Sequence, residues 1–147
     1  MTGLAFTLMI EPPTRTAQQK GECVRHGRIY HYVKPEVQEA EDVLRLALRP
    51  YKPPMPYDGP IRLTCTWQFQ KGKTHKDGEW RITRPDTDNL QKMLKDCMTK
   101  EGFWIDDSRV CYEICKKKWA STPGLAIVIE PLEVFDLDNR TARDPVP

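Results

Sequence analysis

Apolar and polar residues alternate most cleanly over positions 61–70. Ile61, Leu63, Cys65, Trp67 and Phe69 fall on one side, and Arg62, Thr64, Thr66, Gln68 and Gln70 on the other. A period of two is that of a strand with one buried face. Further on, the spacing changes to i, i+3, i+4, i+7, i+8 at Leu90, Met93, Leu94, Cys97 and Met98, which predicts an amphipathic helix stopped by Gly102. An earlier stripe, Val37, Ala40, Leu44, Ala47 and Leu48, predicts a helix that starts at Pro35 and ends at Pro50. Its acids Glu36, Glu39, Glu41 and Asp42 come early and Arg45 and Arg49 late, as the helix dipole favours.

The remaining pattern fills in around these. Leu4 to Ile10 reads as a first strand, and Val24 and Ile29-Tyr30 flank His26-Gly27 as a hairpin. Val110 to Trp119 and Leu125 to Ile129 read as two strands joined through Ser121-Thr122-Pro123-Gly124. Pro50 to Pro60 is a linker within the domain, and Lys71 to Arg84 a basic loop. The order β, hairpin, α, β, α, β, β contains no internal repeat. It predicts a single α+β domain over residues 1–131, with a mixed, mainly antiparallel sheet and two main helices. Residues 132–147 are acidic, end in Pro145-Val146-Pro147, and are expected to be a loosely held tail.

Composition narrows the class. At roughly 150 residues per domain, a chain of 147 residues is one domain. A chain of this size buries roughly 70% of its unfolded surface and needs no disulfide or zinc staple. The net charge of +2 excludes both a polyanionic tail protein and a histone-like polycation, and four Trp, five Tyr and four Phe favour a packed core. The five Cys (23, 65, 97, 111 and 115) form no CxxC pair, and Cys111 and Cys115 share a strand face with no second Cys/His pair following. Unpaired thiols suit a reducing cytosol, so a cytoplasmic location is expected. Leu4 to Ile10 lacks a basic flank and runs into Glu11-Pro12-Pro13, so it reads as a strand rather than a signal peptide. No stretch approaches the ~20 apolar residues of a membrane span.

The chemistry concentrates in one region. Asp86-x-Asp88 lies where a loop leads into the second helix, and Asp106-Asp107-Ser108 lies where the following strand begins. These carboxylates meet if that strand pairs near the start of the helix. Clustered carboxylates repel one another and stay charged at neutral pH with a cation between them. All-oxygen donors without His or Cys select Mg²⁺ or Mn²⁺ over Zn²⁺. On a helical wheel with Asp88 at 0°, Lys92 falls near roughly 40°, Asp96 near roughly 80° and the apolar set over roughly 140–280°. Asp88 and Lys92 therefore share the face turned from the core, where a Lys serves to neutralise charge that grows in phosphoryl transfer.

Each part also has an ordinary structural use. Asp88 with Gln91 makes a capping pair, Asp86 suits the positive end of a helix, and Asp106-Asp107-Ser108 suits a turn. Asp88 and Lys92 are spaced as an i, i+4 ion pair. The basic runs, Arg15, Lys20, Arg25, Arg28 and Lys34 in one and Lys71 to Arg84 in the other, serve equally as solvated faces or as phosphate contacts.

Asp86-Thr87-Asp88-Asn89-Leu90-Gln91-Lys92, then Asp96, then Gly102-Phe103-Trp104-Ile105-Asp106-Asp107 with Val110 after, resembles the RusA family of Holliday-junction resolvases. The likeness is close over residues 84–119 and looser in the first strand with Pro12-Pro13. The chain departs from the family at Thr14-Arg15-Thr16-Ala17, which lacks the usual Asn, and in the length of the basic loop before Arg84.

The resemblance implies an α+β, homodimeric, Mg²⁺-dependent endodeoxyribonuclease of DNA recombination and repair, with Mn²⁺ as a substitute, that nicks four-way junctions symmetrically. It implies Asp86, Asp88 and Asp107 as metal ligands and catalytic groups, Lys92 as the catalytic lysine, and Asn89 and Asp106 as supporting residues. Arg15, Lys20, Arg28, Lys73, Lys76 and Arg84 are the expected DNA contacts. The exposed Trp67/Phe69 end of the central strand is weighed as a dimer contact, against core packing. The alternatives are a branch- or flap-selective nuclease with the same site, an inactive junction-binding module, and a small nucleotide phosphatase.

Overall fold

In the computed structural model, which describes residues 2–16 and 20–135, two helices cover one face of a four-stranded sheet. The strands are β1 (Leu4–Leu8), β2 (Lys20–Arg25), β3 (Arg28–Val33), β4 (Ile61–Gln70), β5 (Val110–Ala120) and β6 (Gly124–Pro131); the helices are α1 (Pro35–Leu48) and α2 (Thr87–Lys100). The main sheet has the order β1-β6-β4-β5, and β2 and β3 form a separate two-stranded ribbon. β6 is antiparallel to both β1 and β4, while β4 and β5 are parallel. The architecture is the expected mixed, mainly antiparallel α+β domain.

Local signals set most element ends. At the β2–β3 turn, His26 and Gly27 both have positive φ, 51° and 74°, the geometry of a two-residue hairpin loop matched to strand twist. Pro35 occupies the first turn of α1, where its missing N–H costs nothing. α2 ends in a Schellman arrangement: Gly102 sits at φ 83°, its amide donates to the Thr99 carbonyl, and the Phe103 amide donates to that of Met98.

Two expectations are adjusted. β1 stops at Leu8 rather than Ile10, because its ladder to β6 runs out where Leu8 meets Leu125. The 50–60 stretch is not a free linker. It opens with a 3₁₀ turn, Arg49–Tyr51, and then pairs with the segment after α2 through Tyr57 N–H to Phe103 O and Ile105 N–H to Tyr57 O. Of the expected acidic tail, residues 136–147 lie outside the described residues.

The alternation of β4 is realised in full. Ile61, Leu63, Cys65, Trp67 and Phe69 are buried, while Arg62, Thr64, Thr66 and Gln68 are half-buried on the other face. The buried set packs with Leu125, Ile127 and Ile129 of β6 beneath Leu44 and Leu48 of α1 and Leu90, Met93, Leu94 and Met98 of α2. The Trp67/Phe69 end of β4 is therefore core, not a contact surface, because the helices cover that side of the sheet.

The parallel β4–β5 pair has a consequence for function. A helix between two parallel strands runs back against them, so the start of α2 lies at the C-terminal ends of β4 and β5 and its end lies where β5 begins. Glu101, just past α2, pairs with Arg45 and Arg49 at the end of α1 (2.7 and 3.1 Å), so both helices start at the same end of the sheet. Glu11, after β1, reaches the Gln70 amide at the end of β4, which brings the 12–16 segment to that end as well.

Candidate active site

Asp86 holds the N-cap position of α2 in an extended conformation, and its side chain makes no capping hydrogen bond. The cap is left to the Asp86 carbonyl, which accepts from Leu90 N–H. Its carboxylate is exposed at the positive end of the helix. Asp88 lies in the first turn, also exposed, with one oxygen accepting from the Asn89 amide at 3.0 Å. Asn89 itself is half-buried.

Gln91 does not cap. It is buried, accepts from the Trp67 indole N–H at 2.7 Å, and donates to Glu113 of β5 at 2.9 Å. Lys95 closes the chain on the other Glu113 oxygen at 3.0 Å. This run from β4 through α2 to β5 fixes the rotation of α2 about its axis, and so turns Asp88 and Lys92 outward. A pocket of about 350 Å³, lined by Thr87, Asp88, Gln91, Lys95, Glu113 and Cys115, opens beside Asp88. Lys92 is 59% exposed and reaches Asp96 at 3.8 Å, one turn further on.

Lys117 organises the approach to Asp86. Its ammonium donates to the carbonyls of Thr83 (2.6 Å) and Pro85 (2.7 Å), the residues just ahead of the carboxylate pair. Burial lowers its pKa and the Arg81 charge adds to that, while Asp86 pulls the other way. The signal for Lys117 lies in Lys116-Lys117-Lys118: in a strand, the middle of three lysines faces opposite to its neighbours.

The second pair of acids divides its work. Asp106 caps the 3₁₀ turn Asp107–Arg109 by accepting from the Ser108 amide at 3.0 Å. Hydrogen bonds from Ser108, side chain first and amide second, hold its carboxyl below the ordinary carboxylate range. Asp107 is exposed, with its carboxylate outside the cap.

Asp86 and Asp107 do not meet within the chain. β5 begins three residues past Asp107, and Lys117 lies seven residues along it from Val110, a rise of about 23 Å. The 14 residues of α2 span about 21 Å over the same interval. The sequence-level condition for a meeting, that the strand pair near the helix start, is not fulfilled, because β5 pairs parallel to β4 and starts at the opposite end. Among the described residues, no group of three or more His, Cys, Asp or Glu side chains is placed to hold a metal ion.

Several expected DNA contacts gather at the Asp86 end. Lys73, Lys76 and Arg84 are exposed on the loop into α2, and Arg15 is exposed on the 12–16 segment. Arg28 is on the β2–β3 ribbon, a sheet separate from the main one, and the Lys20 side chain lies outside the described residues. The five cysteines are free. Burial pushes the Cys65 and Cys97 thiols up to about 12 and that of Cys115 up to about 11, so these three behave as core groups. Among the described residues, no helix is long and apolar enough to cross a membrane.

The sequence of the chain is similar to those of crossover junction endodeoxyribonucleases. The crossover junction endodeoxyribonuclease rusA of Lactococcus phage r1t is 29% identical over 114 residues, 76% of this chain and 86% of that protein. Crossover junction endodeoxyribonuclease RusA of Escherichia coli K12 is 53% identical over 34 residues, 22% of this chain and 28% of that protein. The rusA protein of Enterobacteria phage 82 has the same identity over the same length. The family model described as endodeoxyribonuclease RusA matches residues 12–130, nearly the whole described fold. The chain belongs to the RusA endodeoxyribonuclease family.

Proposed function

We propose that this protein is a Mg²⁺-dependent endodeoxyribonuclease that resolves four-way DNA junctions by paired nicks, and that it works as a symmetric homodimer. The observation that carries the reading is the carboxylate pair Asp86 and Asp88, both exposed at the α2 N-terminus at the same end of the sheet as Lys73, Lys76, Arg84 and Arg15, in a chain of the RusA family.

The donor set is hard oxygen, which fits Mg²⁺ or Mn²⁺, but one chain offers only two of the three acids at this end. The third ligand is Asp107 of a second copy, since the length of α2 separates it from Asp86 in its own. A two-fold dimer then carries two equivalent sites, as two matched nicks on a two-fold substrate require. Asp86, Asp88 and Asp107 of a second copy would hold such a metal, which would supply Lewis-acid polarisation of a phosphate oxygen and lower the pKa of a water. Lys92, on the same helix face, carries part of the negative charge that grows on the phosphate oxygens. The basic loop and Arg15 hold flanking phosphates without reading sequence. Asp106 and Asn89 support the site, Asp106 by shaping the turn that presents Asp107. The reducing interior of a bacterial or phage-infected cell suits the free thiols.

The deciding experiment incubates the protein with a synthetic four-way junction, a linear duplex and a flap, with and without Mg²⁺. Paired symmetric nicks in the junction, absent without metal, support the reading. Preferential cutting of the flap would replace it with a flap-selective nuclease.

A further inference from the structure

The basic loop ahead of Asp86 is built as a second neighbour to β5, on the edge away from β4, rather than as a loose excursion. Gly78 N–H donates to Trp119 O (2.8 Å), Trp119 N–H to Glu79 O (2.8 Å) and Arg81 N–H to Lys117 O (3.0 Å), with Trp80 and Lys118 bridged antiparallel. On the helix side, the Arg81 guanidinium lies over both the Phe69 and Trp119 rings (4.2 and 4.4 Å), and His75 stacks on Trp119 at 4.3 Å. The segment is thus pinned by backbone and by side chains.

Alternation along this segment sends Trp80 and Ile82 to the opposite side from Arg81. There they are 60% and 93% exposed. The Lys118 ammonium sits 4.7 Å over one face of the Trp80 ring, and the same register sets Ile82 opposite the exposed Lys116. Ile82 comes four residues before Asp86. A large aliphatic residue almost wholly in water, on a backbone held this firmly, has no role in the core of its own chain. Lysines around an apolar pair favour a partner that presents both flat apolar faces and negative charge, which is the chemistry of unstacked nucleotides.

We infer that Trp80 and Ile82, flanked by Lys116 and Lys118, form a platform that receives unstacked bases at the branch point of DNA and holds the junction open beside the cleavage site. This rests on the proposed junction-resolving function and adds the element that selects branched over linear DNA. The interior of a linear duplex has no free base faces to offer, whereas a branch point exposes the pairs that flank it, so away from duplex ends the platform contributes only on branched substrates.

Trp80 is a built-in probe, since Trp67 and Trp104 are buried and Trp119 half-buried. The test titrates wild type, Trp80→Ala, Trp80→Phe and Ile82→Ser with a four-way junction and a duplex of equal length in EDTA. It follows tryptophan emission, anisotropy of the labelled DNA, and 2-aminopurine placed at the branch point. The junction should quench wild-type emission and raise the 2-aminopurine signal, while the duplex does neither. Trp80→Ala should lose both responses and bind the junction about tenfold more weakly or worse, with duplex affinity within about twofold and Trp80→Phe close to wild type.

Equal losses for junction and duplex, or an unchanged junction response in Trp80→Ala and Ile82→Ser, would overturn the platform. So would a shift of these variants to monomers in light scattering, which would give the face to a second copy. If wild type neither prefers nor cuts four-way junctions, the proposed function falls and the platform with it. If it does both and the variants match it, the platform alone falls.

Discussion

Asp86 and Asp106 occupy the same kind of position, ahead of a helical turn, and use their carboxylates differently. Asp106 turns inward to cap, while Asp86 leaves its carboxylate outside. Replacement by Asn keeps shape and removes charge, so Asp86→Asn, Asp88→Asn and Asp107→Asn should each abolish cleavage while junction binding persists or tightens, as gel-shift and nicking assays on the same junction will show. A fully active Asp107→Asn would move the third ligand to Asp106. Among the described residues, Lys92 pairs only with Asp96, exposed and at 3.8 Å, a contact worth about 0.3–0.5 kcal/mol, which a phosphate displaces readily. Lys92→Ala should lower single-turnover cleavage about 10²–10³-fold with a much smaller change in junction affinity. Restoration of the rate at saturating enzyme would make Lys92 a phosphate clamp instead.

At the scale of elements, α2 is held at both ends and keyed in the middle. Gln91 is the key: removing its acceptor leaves the Trp67 indole N–H buried without a partner. Gln91→Leu should therefore lose about 1–3 kcal/mol in urea denaturation despite adding apolar surface. At the far end, Glu101 joins α2 to α1 through Arg45 and Arg49. Burial by itself pushes the Glu101 carboxyl up, but hydrogen bonds from Arg49 and Arg45, and their charges, outweigh it and hold it below the usual range. A depressed carboxyl contributes stability that is complete above its unfolded pKa, about 4.3, and fades as pH falls through the lower folded value. Glu101→Gln should therefore lower the melting temperature at pH 7, and the gap to wild type should shrink as pH drops below about 4.

For the whole molecule, the separation of Asp86 from Asp107 by about the length of α2 turns oligomeric state into a catalytic question. Light scattering should give a dimer of a chain of 17.1 kDa. Mixing inactive Asp86→Asn with inactive Asp107→Asn gives a sharper result. If each site takes Asp86 from one copy and Asp107 from the other, a mixed dimer contains one intact site and one doubly altered site. The mixture should then regain nicking of a single strand without resolving the junction. If each chain builds its own site, every site in the mixture carries one lesion and no activity returns.

What the sequence by itself determined is what neighbouring residues decide among themselves. The β4 alternation, the two apolar stripes, the His26-Gly27 turn and the Gly102 stop needed only local backbone preferences and one partner surface. The Asp86/Asp88 pair at a helix start was legible for the same reason. Tertiary structure decided the rest, because strand pairing joins surfaces remote along the chain. Setting β6 between β1 and β4, and β5 parallel on the outer side of β4, places Asp107 at the opposite end of α2 from Asp86. The same pairing took Gln91 from a capping role into the core, where Trp67 requires an acceptor. It buried the Trp67/Phe69 face under the helices and brought Lys117 to the carbonyls ahead of Asp86. None of these follows from spacing, since each depends on which strand a residue's neighbour turns out to be.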